Sequence, residues 1–162
     1  MKKLVIVAVI AAVLISGGAL AYQMTLGDKG PQAGDTASDS LEVVLATDKA
    51  NYALGETVQL ILTVKNIAAD PVELTFNTSQ QTEFVITAEG SDVWRWSDGM
   101  MFMQALQSKT LQPGEEAVFT AEWEQVGSDG AAISVGTYKV TGIVTSKNAV
   151  SADPVEIVVI QP

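Results

Sequence analysis

The sequence predicts an all-β protein, an antiparallel β-sandwich of about eight or nine strands. Three observations predict this fold class: apolar residues recur at every second position from Leu41 onward, Gly, Pro and Asp turn signals separate these segments, and no segment has a helical repeat longer than two turns. Because one core usually organises about 100–200 residues, residues 41–162 are predicted to form a single domain.

The strands are identified by the two-residue period of a half-buried strand. In the clearest case, apolar residues alternate with polar ones and only Ile61 interrupts the polar face. The apolar members of this strand are Val58, Leu60, Leu62 and Val64. Further strand candidates are residues 41–47, 72–77, 83–88, 93–97, 101–106, 117–123, 138–144 and 155–160.

Tyr138 favours one kind of sandwich. It follows Gly136 and Thr137 at the start of a late strand. In an immunoglobulin-like sandwich, a tyrosine in this position often donates its hydroxyl to the backbone a few residues upstream. The sequence therefore predicts an immunoglobulin-like β-sandwich with a corner tyrosine.

The N-terminus has the order of an export signal. Two lysines precede an unbroken apolar run from Leu4 to Ile15, and an Ala-Leu-Ala pattern ends at Ala21. Residues 1–21 are predicted to be a signal peptide cleaved after Ala21. The alternative is a retained membrane anchor, because the 18 apolar-rich residues from Leu4 to Ala21 approach the length that spans a bilayer.

Residues 22–40 lack apolar periodicity and are rich in Gly, Asp, Ser and Thr, which predicts a flexible linker. With either fate of residues 1–21, the domain is expected to be extracytoplasmic, secreted or anchored to the membrane by the N-terminal segment.

The composition excludes much catalytic chemistry. The chain has no His and no Cys, which removes histidine-dependent triads, thiol nucleophiles, disulfides and zinc-thiolate sites. Glu122 and Glu124 share a strand face, but that face is opposite Phe119 and Trp123 and is expected to be exposed, unlike a glycosidase carboxylate pair. We therefore predict a protein that is not an enzyme, with no catalytic residue, no cofactor and no metal site.

The negative net charge of the chain argues against nucleic acids and anionic membranes as partners. The chain carries 9 basic and 19 acidic side chains, a formal net charge of −10. A nucleic-acid backbone or an anionic membrane surface would repel such a protein. The expected partner is a protein, and membrane contact is expected only through a retained N-terminal segment.

One segment combines tryptophans, an arginine and methionines beside a turn. Two readings remain open: the side chains fill the core, or part of the segment is an exposed apolar surface for a partner, since Trp, Met and Arg are enriched at interfaces. The methionines alone could attract copper(I), but no His or Cys could complete the site. The candidate partner-binding residues are Trp94, Arg95, Trp96, Met100, Met101, Phe102 and Met103.

The middle of the chain also resembles a known family. The residues that carry the likeness are Phe76-x-Thr78-x-Gln80, Phe84-x-Ile86, Gly90, Val93-Trp94-Arg95-Trp96-Ser97-Asp98-Gly99, Phe102, Leu111-x-Pro113-Gly114-Glu115, Trp123 and Gly136-Thr137-Tyr138. Over residues 55–145 they resemble the intracellular proteinase inhibitor (BsuPI) domain family, and Trp-x-Trp-Ser-Asp-Gly is the most specific block. The resemblance implies an immunoglobulin-like sandwich that inhibits serine proteinases. Since this chain carries an export signal, the target is expected outside the cytoplasm.

Two functions are therefore predicted as alternatives. The first is an exported, monomeric inhibitor that binds an extracytoplasmic serine proteinase through residues 100–103 or, as a weaker choice, the glycine-containing residues 127–134. The second is a non-catalytic cell-surface module, either an adhesion or an accessory domain, whose exposed tryptophans would stack on sugar rings.

Overall fold

The computed structural model describes residues 37–147 and 149–162, and within them the protein is all-β apart from one helical turn. The all-β prediction is confirmed. The elements are α1 (Ala37–Ser40), β1 (Leu41–Thr47), β2 (Asn51–Ala53), β3 (Val58–Asn66), β4 (Val72–Phe76), β5 (Thr82–Ala88), β6 (Ser91–Arg95), β7 (Gln107–Leu111), β8 (Glu116–Trp123), β9 (Gly136–Val144), β10 (Val150–Ser151) and β11 (Val155–Ile160).

The first sheet has three antiparallel strands in the order β1-β3-β8. Leu62 in the central strand lies opposite Leu45 on one side and Phe119 on the other. Every second residue of β3 is buried, from Val58 to Asn66. The two-residue alternation of apolar residues in the sequence is therefore also the alternation of buried side chains. This face of the sheet is one wall of the core.

The second sheet has the strand order β2-β11-β9-β5-β6, and β10 pairs with the end of β9. Its pairs are antiparallel except one: β2 runs parallel to β11, with Tyr52 opposite Val159. The prediction of a wholly antiparallel sandwich is therefore wrong for this pair. A separate two-stranded ribbon pairs β4 with β7, with Phe76 opposite Gln107.

The described residues form eleven strands rather than eight or nine. Two of the additional strands, β2 and β10, have three and two residues and are too short to show a period. The predicted strand at residues 101–106 is wrong, because that segment is a loop and the strand begins at Gln107.

The core lies between the two larger sheets and is built from their inward side chains. Trp123 is fully buried, with its ring centroid 6.5 Å from that of Trp94 and 5.5 Å from that of Tyr138. The Tyr138 hydroxyl donates to the Ser134 carbonyl oxygen at 2.7 Å, four residues upstream. The predicted corner tyrosine is confirmed, and it joins the start of β9 to the aromatic centre of the core.

The predicted signal or anchor segment, residues 1–21, lies outside the described residues, as does most of the predicted linker. The last four linker residues form α1, and the Ser40 carbonyl accepts a hydrogen bond from Ile67 N–H at 2.9 Å. In the part of the chain that the structure describes, no helix has the length and apolar character needed to cross a bilayer.

Candidate functional site

The candidate site begins where β6 ends at Arg95 and the chain leaves the sheet in a turn. Met100 N–H donates to the Ser97 carbonyl at 3.0 Å. Gly99, the third residue of this turn, has φ +76°, a left-handed conformation that favours glycine. The turn leads into Met100–Met103, which we call the methionine loop.

A buried carboxylate holds this turn against β5. Glu83 accepts a hydrogen bond from Ser97 N–H at 3.2 Å and a second, short one from the Ser97 hydroxyl. It also accepts from the side-chain amide of Gln80 at 3.3 Å and from Phe84 N–H at 3.1 Å. Trp96 N–H donates to the Phe84 carbonyl at 3.0 Å in the same place. Hydrogen bonds from both backbone and side-chain groups therefore hold the Trp-x-Trp-Ser-Asp-Gly block in place. The sequence analysis did not identify Glu83 as part of this site.

The far end of the methionine loop is fixed independently. Ser79 N–H donates to the Met103 carbonyl at 2.9 Å, and Met103 N–H donates to the Ser79 hydroxyl at 3.0 Å. Between the two ends, the ring of Phe102 packs on Trp96 with centroids 6.0 Å apart. The loop is thus held by a turn, an aromatic contact and two hydrogen bonds between Ser79 and the Met103 backbone, one of which uses the Ser79 hydroxyl.

The methionine side chains project from this fixed backbone into solvent. Met101 is 99% exposed, Met103 is 70% exposed and Met100 is 46% exposed. Phe102, between the two most exposed side chains, is half-buried. The surface therefore presents large apolar groups, and the side chain of Met101 buries almost none of its area in the fold.

The other predicted residues of this segment lie in different surroundings. Trp94 and Trp96 are half-buried and pack against the core. Arg95 is exposed, and its guanidinium donates to Asp92 Oδ2 from Nε at 3.0 Å and from Nη2 at 2.7 Å. The hydrogen bond from Arg95 to Asp92 raises the pKa of the guanidinium. The tryptophans thus support the turn, and Arg95 already has a partner within its own strand.

Residues 127–134, the weaker loop candidate, lie against β6. Ser128 N–H donates to the Val93 carbonyl at 2.9 Å, and the Ser128 hydroxyl accepts from Arg95 N–H at 3.2 Å. The same hydroxyl makes a short hydrogen bond to the Asp98 carboxylate. Val93 is the extra residue of a β-bulge in β6, which frees its carbonyl for this contact. The structure thus brings both candidate loops to the same strand.

A cleft of about 490 Å³ lies beside β6 and this second loop. Asp92, Asp129 and Tyr138 are among its lining residues. Both carboxylates already accept hydrogen bonds within the fold, Asp92 from Arg95 and Asp129 from Ala131 N–H at 2.9 Å. Both carboxylates of the cleft are therefore already used in hydrogen bonds within the fold.

The carboxylates considered for catalysis lie on the solvent side of the first sheet. Glu122 and Glu124 are exposed, and Glu122 accepts a hydrogen bond from the Gln59 side chain at 2.9 Å. No group of three or more His, Cys, Asp or Glu side chains within residues 37–147 and 149–162 is arranged to hold a metal ion.

The described residues thus form a β-sandwich that presents a fixed, exposed apolar loop. The model of one family, BsuPI, described as intracellular proteinase inhibitor, matches residues 45–149, which is more than half of the 162-residue chain. The chain belongs to this family, as its Trp-x-Trp-Ser-Asp-Gly block predicts. The description of the family refers to inhibition of proteinases.

The family corrects one prediction. We expected an extracytoplasmic protein, secreted or membrane-anchored, on the basis of the apolar run in residues 1–21. The family is described as intracellular, so that prediction is wrong. A basic start, an apolar centre and small residues are a compositional pattern only, and it does not identify an export signal by itself.

Solved structures show similarity of fold at low identity. The sporulation control protein Spo0M from Bacillus subtilis is 20% identical, with a TM-score of 0.47, 76% of this chain covered and 50% of that chain. A β-glucosidase from Erythrobacter marinus is 16% identical, with a TM-score of 0.46, 75% of this chain covered and 15% of that chain.

The CARDB domain of a Pyrococcus furiosus protein, solved with two metal ions, is 16% identical, with a TM-score of 0.43 and coverage of 75% and 94%. This chain thus spans only a small part of the β-glucosidase and half of Spo0M. No curated protein matches.

Proposed function

We propose that this chain, as a monomer, inhibits a serine proteinase by placing the methionine loop in the active-site cleft, with Met101 in an apolar specificity pocket. The observation that carries the proposal is the combination of a fixed loop backbone with side chains that are 99% and 70% exposed at Met101 and Met103. Exposed Trp, Met and Arg side chains are typical of interface centres.

The fixed backbone matters because the loss of conformational freedom on association opposes binding. Ordering a free loop on association costs about 0.5–1.5 kcal/mol for each immobilised rotamer-rich side chain, in addition to the backbone. Here Ser79, Phe102 and the turn at Gly99 have already ordered the loop. A proteinase that binds it therefore recovers more of the energy of apolar burial as affinity.

The side-chain pattern suits a proteinase cleft. Met101 and Met103 point outward while Phe102 points toward Trp96, which is the two-residue alternation of an extended segment. Proteins that bind extended segments form main-chain hydrogen bonds and use pockets for alternate side chains. Met101 and Met103 are positioned to fill two such pockets.

Residues 127–134 support this proposal less well. Their backbone groups are used inside the loop: Gly127 N–H donates to the Ala131 carbonyl at 2.8 Å, and Gly130 N–H donates to the Gly127 carbonyl at 2.9 Å. The sugar-binding alternative depends on exposed tryptophan faces, and Trp94, Trp96 and Trp123 all pack in or against the core. The methionine loop is therefore the candidate that we test.

The test is a titration of the full chain against a subtilisin-type proteinase, which has a large apolar pocket, and a trypsin-type proteinase, whose pocket takes basic residues. Residual proteinase activity and the intact mass of the chain are followed together. We expect saturable inhibition of the subtilisin type at one chain per proteinase, with the mass preserved, and no inhibition of the trypsin type.

Met101→Asp and Met103→Asp are each expected to weaken inhibition by about 100-fold or more, because a carboxylate would be buried unpaired in an apolar pocket. Leu106→Asp is the matched control: this side chain is 71% exposed, lies just beyond the loop and receives the same new charge. Equal inhibition by all three variants would remove the methionine loop from consideration.

A further inference from the structure

We propose that the thioether of Met101 is a reversible oxidation site, and that its sulfoxide prevents the loop from binding the proteinase. The consequence for binding rests on the proposed function. The site itself follows from the position and chemistry of the methionines. The modifying agent is a peroxide, and the reversing agent is a thiol-dependent sulfoxide reductase.

The sulfur of this chain is concentrated in one surface loop. The chain has no Cys and five Met, and three of the five are Met100, Met101 and Met103. Cysteine thiolates, the usual first targets of peroxide in proteins, are therefore absent from the sequence. A peroxide that reaches this protein must react with thioethers instead.

Exposure distinguishes the three thioethers. Met101 is 99% exposed, whereas Met100 is 46% exposed beside the turn. Susceptibility of sulfur to oxidants follows exposure. We therefore expect Met101 to oxidise first, Met103 next and Met100 last.

The reaction is balanced without any further group in the protein. The thioether sulfur attacks one peroxide oxygen, the O–O bond breaks, an S–O bond forms and water leaves, so the sulfur loses two electrons and the peroxide gains them. In the reverse step, two thiols supply two electrons and two protons, and the products are the thioether, a disulfide and water.

Oxidation of the loop methionines is expected to alter the protein surface and not the core. The contacts described above that hold the loop are made by the Phe102 ring, by the Met103 backbone and by the backbone and hydroxyl of Ser79, and none of them uses a thioether. Among the described residues, the methionines all lie in this loop and none belongs to the buried core. Oxidation should therefore leave the sandwich intact and change only what the loop presents.

Oxidation converts the apolar surface of the loop at Met101 into a polar one. A sulfoxide is polar and accepts hydrogen bonds, and an apolar proteinase pocket offers it no donor, so entry into the pocket loses hydration without compensation. We expect the inhibition constant for a subtilisin-type proteinase to rise by about tenfold or more on oxidation of Met101.

The experiment uses the full chain treated with hydrogen peroxide for increasing times. Peptide masses give the oxidation of each methionine, circular dichroism gives the fold, and titration of a subtilisin-type proteinase gives the inhibition constant. A final sample is treated with a sulfoxide reductase and dithiothreitol. We expect inhibition to fall in step with Met101 oxidation, the fold to persist and the reductase to restore inhibition.

Two variants assign the effect to one sulfur. In Met101→Leu, the ratio of inhibition constants after and before peroxide should be several-fold smaller than in the unaltered chain at the exposure time that just oxidises Met101 there, because Met103 oxidises more slowly. In the double variant Met100→Leu, Met103→Leu, where Met101 is the sole loop thioether, the ratio should be as large as in the unaltered chain. The reverse pattern would overturn the assignment to Met101.

The remaining outcomes are equally decisive. Inhibition that is unchanged after complete oxidation of Met101, or that the reductase does not restore, would overturn the switch while leaving the proposed function in place. An unoxidised chain that does not inhibit would overturn both. Slower oxidation of Met101 than of Met100 would overturn the site itself.

Discussion

Tyr52 shows how one buried hydroxyl makes stability depend on pH. Its ring is fully buried, and its hydroxyl donates to Asp48 Oδ1 at 2.7 Å and accepts from Lys49 N–H at 2.9 Å. Burial and the hydrogen bond to Asp48 raise the pKa of Tyr52 to about 12. The same hydrogen bond lowers the pKa of Asp48. The fold therefore favours a neutral phenol beside an ionised carboxylate.

The raised pKa predicts an alkaline loss of stability. The ordinary pKa is 10.0, so the folded state holds the proton more tightly than the unfolded state. The resulting stabilisation is complete below about pH 10 and is lost as the pH rises toward about 12. Between about pH 9 and about pH 11, we expect the free energy of unfolding to fall by about 1 kcal/mol through this group.

Urea unfolding across that pH range tests the prediction with two variants. Tyr52→Phe is expected to be less stable at neutral pH, because it loses a hydrogen bond, but to lack this part of the alkaline decline. Tyr138→Phe removes the other described core tyrosine hydroxyl and should keep the decline, since Tyr52 remains. An equal slope in Tyr52→Phe and the unaltered chain would contradict the assignment.

Single residues also show where the sequence was informative and where it was not. Tyr138 was predictable because its partner, the Ser134 carbonyl, is local in the chain. Glu83 and Asn66 were not, because each also binds a group far along the chain: Glu83 accepts from Ser97, 14 residues away, and Asn66 donates to Leu111, 45 residues away. The side chain of Asn66 is buried, donates to the carbonyls of Asp70 and Leu111 at 2.8 Å each and accepts from Ala68 N–H. No one-dimensional pattern separates such residues from solvent-facing polar ones.

At the scale of elements, strands with a full period were predictable, and very short strands were not. β1 matches its predicted range of residues 41–47. The parallel pairing of β2 with β11 arises because the chain crosses from the first sheet to the second after β1, a step that leaves no local signal. The alternation at residues 101–106 predicted a strand, but its backbone groups at Met103 pair with Ser79 rather than with a neighbouring strand.

At Gly142 the backbone of one larger sheet lies close to side chains of the other. It is buried in β9, and a Cβ placed there would lie 2.8 Å from Leu62 Cδ1 and 3.2 Å from Leu45 Cδ1 in the opposite sheet. Both leucines are buried, so neither has free space to move away. Packing between the two larger sheets therefore requires a residue without a side chain at position 142.

Gly142→Ala is expected to destabilise the fold by about 1–3 kcal/mol through overpacking. The measurement is the free energy of urea unfolding. Combining it with Leu62→Val, which removes a methylene from the opposing side chain, should recover part of the loss, giving a double-mutant cycle that is not additive. Thr141→Ala, on the other face of the same strand, is the control. A fully additive cycle would show that the contact across the sheets is not the cause.

At the scale of the whole molecule, charge and apolar surface have separate roles. The chain carries a formal net charge of −10, while the methionine loop presents uncharged thioethers. Long-range attraction acts on the rate of encounter, and short-range burial acts on the rate of dissociation. On the proposed function, the complex with a proteinase should therefore show salt effects in the association rate constant only.

We expect the association rate constant with a subtilisin-type proteinase of positive net charge to fall by about tenfold between about 20 mM and 500 mM NaCl. The dissociation rate constant should change little, because the contacts that hold the complex are the buried methionine side chains, which carry no charge for salt to screen. Stopped-flow mixing gives the first constant, and displacement by an excess of substrate gives the second. A proteinase of negative net charge is the control, and its association should become faster with salt. If salt instead accelerates dissociation while association is constant, ion pairs rather than the methionine side chains hold the complex.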